Sequence, residues 1–497
     1  MIRSISFFAV VLAMLVFCPC ASSQSPVPAP IERTGFTRTT SYDSLQEFLK
    51  GLTSSPNIRV ERLTTTRMGR IVSVAKISSS QKFGADPGKL RVLLFAQQHG
   101  DEPAGKEALT LLLAKLASRQ RLDWLNHLDL LIVPQMNPDG AELRQRRTSD
   151  SIDLNRNHVL LTSPETKGLH DLFHEWKPEV TLDAHEYSSS KSWRDSGLIK
   201  TADVQLGMLT HPNTPATIRA LQHEKIYPFV ASSVQGRGYT FQEYIVGDPS
   251  SRIRHSTTEI NDGRQSFGIL NTLSFIQEGR KWRGLDDSLG RRAESQLASI
   301  EALLEYCALH AQEIRSVVST ERSKLPAAHG QEVVLRMEHV SGRSQQTIPV
   351  FNLRTLKDTT WTIAPYHSVV QPVRTTTMPG GYVVPKQLTS VLDLLRRHGI
   401  VLETIAAEKT FQAEMTIIDS IEVEEIEETA MPKPYLHRKE MMTTIQPGDV
   451  MISTRQWQSL LVAILLESES VWGLTGYSDF EPLLKKTGPY PILRIPQ

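Results

Sequence analysis

At 497 residues the chain exceeds one ordinary domain, and a 40% hydrophobic content gives it enough apolar surface for two or three cores. Lys and Arg number 55 against 54 Asp and Glu, a formal charge of +1, so no broad positive field marks a nucleic-acid partner. Cys18 and Cys20 fall in the export segment described next, which leaves Cys307 alone and excludes an internal disulfide, a zinc ribbon and a cysteine-nucleophile motif.

The chain opens with Arg3, an unbroken apolar run from Phe7 to Phe17, and the small residues Ala21, Ser22 and Ser23. That is the order of a secretory signal peptide, and the run is short of the roughly 20 apolar residues that span a bilayer. Residues 1–23 are therefore expected to direct export, giving a secreted or periplasmic protein, and no later stretch is expected to span a membrane. The Pro- and Ser-rich residues 24–40 read as a flexible leader.

From Ser41 the pattern becomes globular. "SYDSLQEFLKGLTSS" predicts a helix with a Ser cap, ending near Gly51. "IRVERLTTTRMGRIVSVAKIS" alternates as a hairpin turning near Met68-Gly69. "LRVLLFAQQ" is a buried strand leading into His99, followed by "AGKEALTLLLAKLASRQ" as an amphipathic helix. "HLDLLIVPQMNPDG", a helix over 164–176 and the strand "EVTLDAHE" come next, and one long helix is expected from about Arg291 to Glu321. Strands alternating with helices, with polar motifs where strands end, predict an α/β fold whose site lies beyond the strand carboxyl ends. Residues 41–322 form this expected domain. Residues 324–497, with short β-branched segments and the acidic run "DSIEVEEIEE", read as a second, mixed, strand-rich domain without assigned chemistry.

The chemistry is concentrated in "QQHGDEPAGKEA", where His99 and Glu102 stand three apart between a strand and a helix. An imidazole and a carboxylate at that spacing can approach one ion, although the H-x-x-E pattern alone is common. His185 ends another buried strand, where a third ligand could converge. Two His and one Glu would leave a fourth zinc position open, as catalysis requires. Between them, "RQRRTSDSIDLNRNH" crowds Arg144, Arg146, Arg147 and Arg156 around Asp153 and Asn155.

The succession His99-Gly-Asp-Glu102, Asn137-Pro-Asp-Gly140, Asp153-Leu-Asn155-Arg156, His185 and a later Glu resembles the zinc metallocarboxypeptidase family over roughly residues 40–320. The C-terminal stretch resembles the tail of some bacterial secreted members. The resemblance implies a mixed β-sheet flanked by helices, Zn2+ bound by His99, Glu102 and His185, and Asp153 orienting His99. It also implies that Asn155 and Arg156 bind the free C-terminal carboxylate of a peptide and that Arg146 steadies the oxyanion. Arg144 and Arg147 fit the last role less well. Ser151 stands where the family usually has Gly.

The general base requires a further carboxylate, with Glu243, Glu259 and Glu278 as candidates. Glu278 closes "FGILNTLSFIQEGR", an apolar strand-like run expected to bring a carboxylate to the sheet edge, and it resembles the family segment in which the catalytic Glu closes a buried strand. Tyr239 and Tyr244 are both possible helpers. The expected activity is removal of C-terminal residues from peptides by a zinc-activated water. The alternatives are a zinc amidohydrolase of the succinylglutamate desuccinylase and aspartoacylase type, which shares the H-x-x-E and His set, and a non-catalytic zinc-binding module. The export segment and the D-x-N-R stretch favour the peptidase, and the full ligand set with Glu278 speaks against the module.

Overall fold

A computed structural model describes residues 27–80, 82–281, 284, 286–342, 345–426 and 429–496; the expected export segment lies outside them. Strands β1 (Ile58–Thr65) and β2 (Ile71–Ile77) form the expected hairpin, closed at Gly69, whose φ of 79° favours glycine. Then come β3 (Leu90–Ala96), β4 (Leu128–Val133), β5 (Val180–Tyr187), β6 (Leu198–Lys200), β7 (Val204–Gly207) and β8 (Phe241–Glu243). The short pair β9 (Ile245–Val246) and β10 (Arg254–His255) precedes β11 (Leu273–Arg280).

Eight of these strands build one mixed sheet in the order β1-β2-β4-β3-β5-β11-β7-β8. The middle strands β4, β3, β5 and β11 run parallel, so their carboxyl ends open onto one edge of the domain. They are apolar on both faces because both faces are covered. Val92, Leu94 and Ala96 of β3 join a core with the helices Ala104–Ala117 and Leu289–Leu309. Leu93 and Phe95 face the opposite core, with the helix Pro164–Trp176 and residues of the C-terminal region.

Several expectations are corrected. The helix Ala104–Ala117 is not amphipathic: it is buried nearly all round, with Lys106 and Glu107 at 1% and 0% exposure. Those polar groups are satisfied by Thr40, whose backbone N–H and hydroxyl donate to Glu107 at 2.7 and 2.6 Å and whose carbonyl accepts from Lys106. The segment 24–40 is accordingly no free leader over its described part, since Ala29 and Ile31 are wholly buried. The long helix is two, Leu289–Leu309 and Ala311–Lys324, interrupted at His310, which leaves helical geometry. The run ending at Glu278 begins in the last residues of a short helix, Gly263–Gly268, and then forms the expected strand, β11, which lies inside the sheet between β5 and β7 rather than at its edge.

The C-terminal region begins with β12 (Glu332–Val340), β13 (Gln346–Asn352), β14 (Lys357–Ile363) and β15 (Val369–Thr377). β12 pairs with β15, while β13 joins β14 on one side and β6 of the preceding region on the other. A seven-stranded sheet follows, and residues 419–426 of the acidic run lie in its long exposed hairpin, Lys409–Ile426 with Thr429–Ile445, while residues 427 and 428 lie outside the described residues. This region shares a core with the first one. Phe173 stacks on Phe267 at 4.2 Å and on Trp457 at 5.9 Å, and Arg397 donates to the Leu160 carbonyl at 2.7 Å. Among the described residues no helix is long and apolar enough to cross a membrane.

Candidate active site

The site forms where three parallel strands end. β3 stops at Ala96, and the loop through Gln97, His99 and Glu102 turns into the helix Ala104–Ala117. This loop lies against Asn137-Pro-Asp-Gly140 so closely that a Cβ on Gly100 would sit 2.1 Å from the Gly140 carbonyl carbon. Asn137 ties the two segments, donating to the Gln98 and Arg146 carbonyls at 3.1 and 3.3 Å and accepting from Gly140 N–H at 2.8 Å. Asp139 is fully buried and takes bonds from Thr66, Met68, Arg70 and Ser149, so this motif is a brace for the loop.

His99, Glu102 and His185 come together, at 3%, 6% and 1% exposure. His99 Nδ1 lies 2.9 Å from Glu102 Oε1 and 3.1 Å from His185 Nδ1, and His185 Nδ1 lies 2.9 Å from Glu102 Oε2. Among the described residues these side chains form a group able to hold a metal ion, with donor atoms all within 4.8 Å of one another. The donor set fits zinc: ligands about 2.1 Å from a tetrahedral ion stand roughly 3.4 Å apart, close to the observed spacings.

The ring nitrogens on the far side are each held by a carboxylate. Asp153 Oδ1 is 3.1 Å from His99 Nε2, and Asp183 Oδ2 is 2.9 Å from His185 Nε2. A proton on each Nε2, facing its carboxylate, leaves both Nδ1 lone pairs turned inward. Asp153 also accepts from Arg146 Nε at 2.9 Å and from Asn155 N–H at 3.0 Å. Burial alone would raise its carboxyl, but His99 and Arg146 outweigh this and hold it well below the usual range. The sequence reading missed Asp183, although its place two residues before His185 on one strand put it on the same face. It also missed Gln98, which donates to Asp183 at 2.7 Å and to Asn155 at 3.3 Å.

A cleft of about 400 Å3 runs past this cluster, lined also by Arg146, Asn155, Arg156, Tyr244 and Glu278. Glu278 stands in register with His185 on the neighbouring parallel strand, and no described residue hydrogen-bonds its carboxylate. Burial pushes this carboxyl up to about 7, with His185 pulling it down and Glu102 pushing it up. The rival carboxylates are engaged elsewhere. Glu259 pairs with Arg156 at 3.3 Å, and Glu243 accepts from the Tyr366 hydroxyl at 3.3 Å. Arg146 Nη1 is 3.1 Å from His99 Nδ1, whereas Arg147 bonds the Ser151 carbonyl away from the cleft. Ser151 has φ 66°, the left-handed region that explains why glycine suits this position. Tyr239 packs on Arg291 instead of lining the cleft.

Residues 45–196 match the family described as zinc carboxypeptidase. Carboxypeptidase 2 of Trichophyton rubrum is 24% identical over 434 residues, covering 84% of this chain and 79% of that protein. Probable carboxypeptidase 2 of Trichophyton verrucosum is 22% identical over 475 residues, covering 91% and 90%. Among solved structures, carboxypeptidase A from Helicoverpa armigera aligns at 17% identity with a TM-score of 0.44, covering 56% of this chain and 75% of that one. The matched stretch is thus a zinc carboxypeptidase domain. The chain that carries it is a peptide hydrolase similar to the metallocarboxypeptidases.

The hold on His185 is testable through Asp183. Asp183→Asn is expected to weaken metal affinity by about 10–100-fold in a chelator competition, because the imidazole loses its charged anchor. An unchanged affinity would mean that this carboxylate does not orient the ligand.

Proposed function

We propose that the protein removes residues from the free C-terminal end of peptides, with His99, Glu102 and His185 holding one zinc ion. The observation that carries this reading is the presence of a guanidinium, Arg156, in the same cleft as the His-Glu-His group and Glu278. A fixed cation is poorly matched to a neutral peptide bond in mid-chain, but it can grip a terminal carboxylate with two charge-assisted hydrogen bonds. The guanidinium is held by the Glu259 carboxylate and by the Asn155 carbonyl, which accepts from Nη1 at 2.8 Å. Asn155 Oδ1 accepts from Gly263 N–H at 2.8 Å, which leaves the Nδ2 donors for the same carboxylate.

A bound zinc ion would supply Lewis acidity and acidify water at the site. Glu278, whose carboxyl burial pushes up from the ordinary carboxylate range, takes the proton of the attacking water and returns it to the departing amine. Arg146, anchored through Nε to Asp153 and with Nη1 beside the His-Glu-His group, would offset charge growing on the scissile carbonyl oxygen. The names of the relatives support a peptidase over a small-molecule amidohydrolase. Residues 1–23 support action outside the cytoplasm, secreted or periplasmic.

Two measurements check the assigned roles. Glu278→Gln is expected to lower kcat/KM by about 100-fold or more with metal content unchanged. Near-normal turnover, together with an inactive Glu259→Gln, would assign the base to Glu259. Amidating the C-terminus of a substrate peptide is expected to lower kcat/KM by roughly 30-fold or more, and Arg156→Ala to remove most of that difference. Equal cleavage of free and amidated peptides would make the enzyme an endopeptidase or amidase and Arg156 structural.

A further inference from the structure

The cleft contains a cation that neither the metal group nor the terminal-carboxylate site uses. Of the cationic side chains lining it, Arg146 pairs with Asp153, Arg156 with Glu259, and Lys281 with Asp101 at 2.6 Å. Lys200 also lines the cleft, is only 7% exposed, and has no hydrogen bond or ion pair to its ammonium group among the described residues. Its Nζ lies 4.7 Å from the Tyr187 ring centre and 5.5 Å from that of Trp193. These ring faces stabilise a cation without supplying an anion.

Burying an ammonium with no carboxylate in direct contact is costly, and few such groups persist without a role. Burial draws the Lys200 pKa down to about 8, partly offset by the charge of Glu278, so the group is still mostly protonated at neutral pH. Its position is fixed rather than accidental. Lys200 ends β6, which is held in register by β13 of the C-terminal region, with Val350 opposite Lys200. Its backbone N–H donates to Ser189 Oγ at 3.0 Å, and the Trp193 indole is pinned by a 3.0 Å bond to the Gly247 carbonyl. The C-terminal region thus takes part in aiming one side chain into the cleft.

We propose that Lys200 is a specificity residue that receives a carboxylate side chain of the peptide, selecting substrates with Glu or Asp beside the cleaved bond. The inference rests on the peptidase reading above and adds to it a preference that the zinc group and Arg156 cannot produce. A substrate carboxylate entering between the two rings completes the missing ion pair in a place shielded from water, where such a pair is strong.

The test compares kcat/KM for matched peptides with Glu or Gln as the terminal residue, and with Glu or Gln as the residue before it. In the wild-type enzyme one of the two positions is expected to show a Glu preference of at least about tenfold. Lys200→Met should bring that ratio to about twofold or less, and Lys200→Arg should keep most of it. Wild-type enzyme that cleaves the Gln peptides but shows no Glu preference at either position overturns the proposal without any variant. So does Lys200→Met that slows all peptides equally and keeps the wild-type ratio, which would assign Lys200 to tuning Glu278. Failure to cleave any of the peptides would instead remove the peptidase reading, and this inference with it.

Discussion

Two imidazole nitrogens and a carboxylate stand within 3.1 Å of one another at the ends of the central strands, each largely buried. Such electron-rich atoms do not gather by packing alone, because each loses hydration and repels the others. The surrounding structure is arranged to hold them there. Asp153 and Asp183 fix the rings from behind, Glu186 N–H donates to Glu102 at 3.1 Å, and the Gly100–Gly140 contact sets the loop that carries His99. On the proposed reading a divalent ion supplies the positive charge that makes this arrangement favourable.

The next layer is set by the same need. Glu186 points away from its neighbour His185, accepts from Ala104 N–H at 2.9 Å at the start of the helix Ala104–Ala117, and pairs with the buried Arg292. The strand end that carries His185 therefore also caps the helix that follows His99 and Glu102. Lys106 and Glu107 of that helix are satisfied by Thr40, which ties the N-terminal segment to the core. The C-terminal region packs on the opposite face of the sheet and completes β6, so it cannot be lifted off without disturbing the cleft wall.

Much of this was legible in the sequence. The apolar runs gave β3, β4 and β5 because parallel central strands are hydrophobic on both faces, a pattern that side chains alone encode. The His-Glu-His group was legible because His99 and Glu102 share one loop and His185 lies near the end of a strand. What stayed hidden depended on distant partners. The helix Ala104–Ala117 looked amphipathic because its Lys and Glu find their partner more than 60 residues away, at Thr40. The bend at His310 leaves no Gly or Pro behind. Lys200 drew no notice because a lone lysine after "SGLI" resembles any surface charge until β13 closes over it.

The most direct test of the account is anomalous diffraction at the zinc edge from crystals of the protein purified with its metal. The account predicts one strong peak at bonding distance from His99 Nδ1, Glu102 and His185 Nδ1, with Asp153 and Asp183 still on the Nε2 atoms. A peak elsewhere, or ligation through either Nε2, would contradict it.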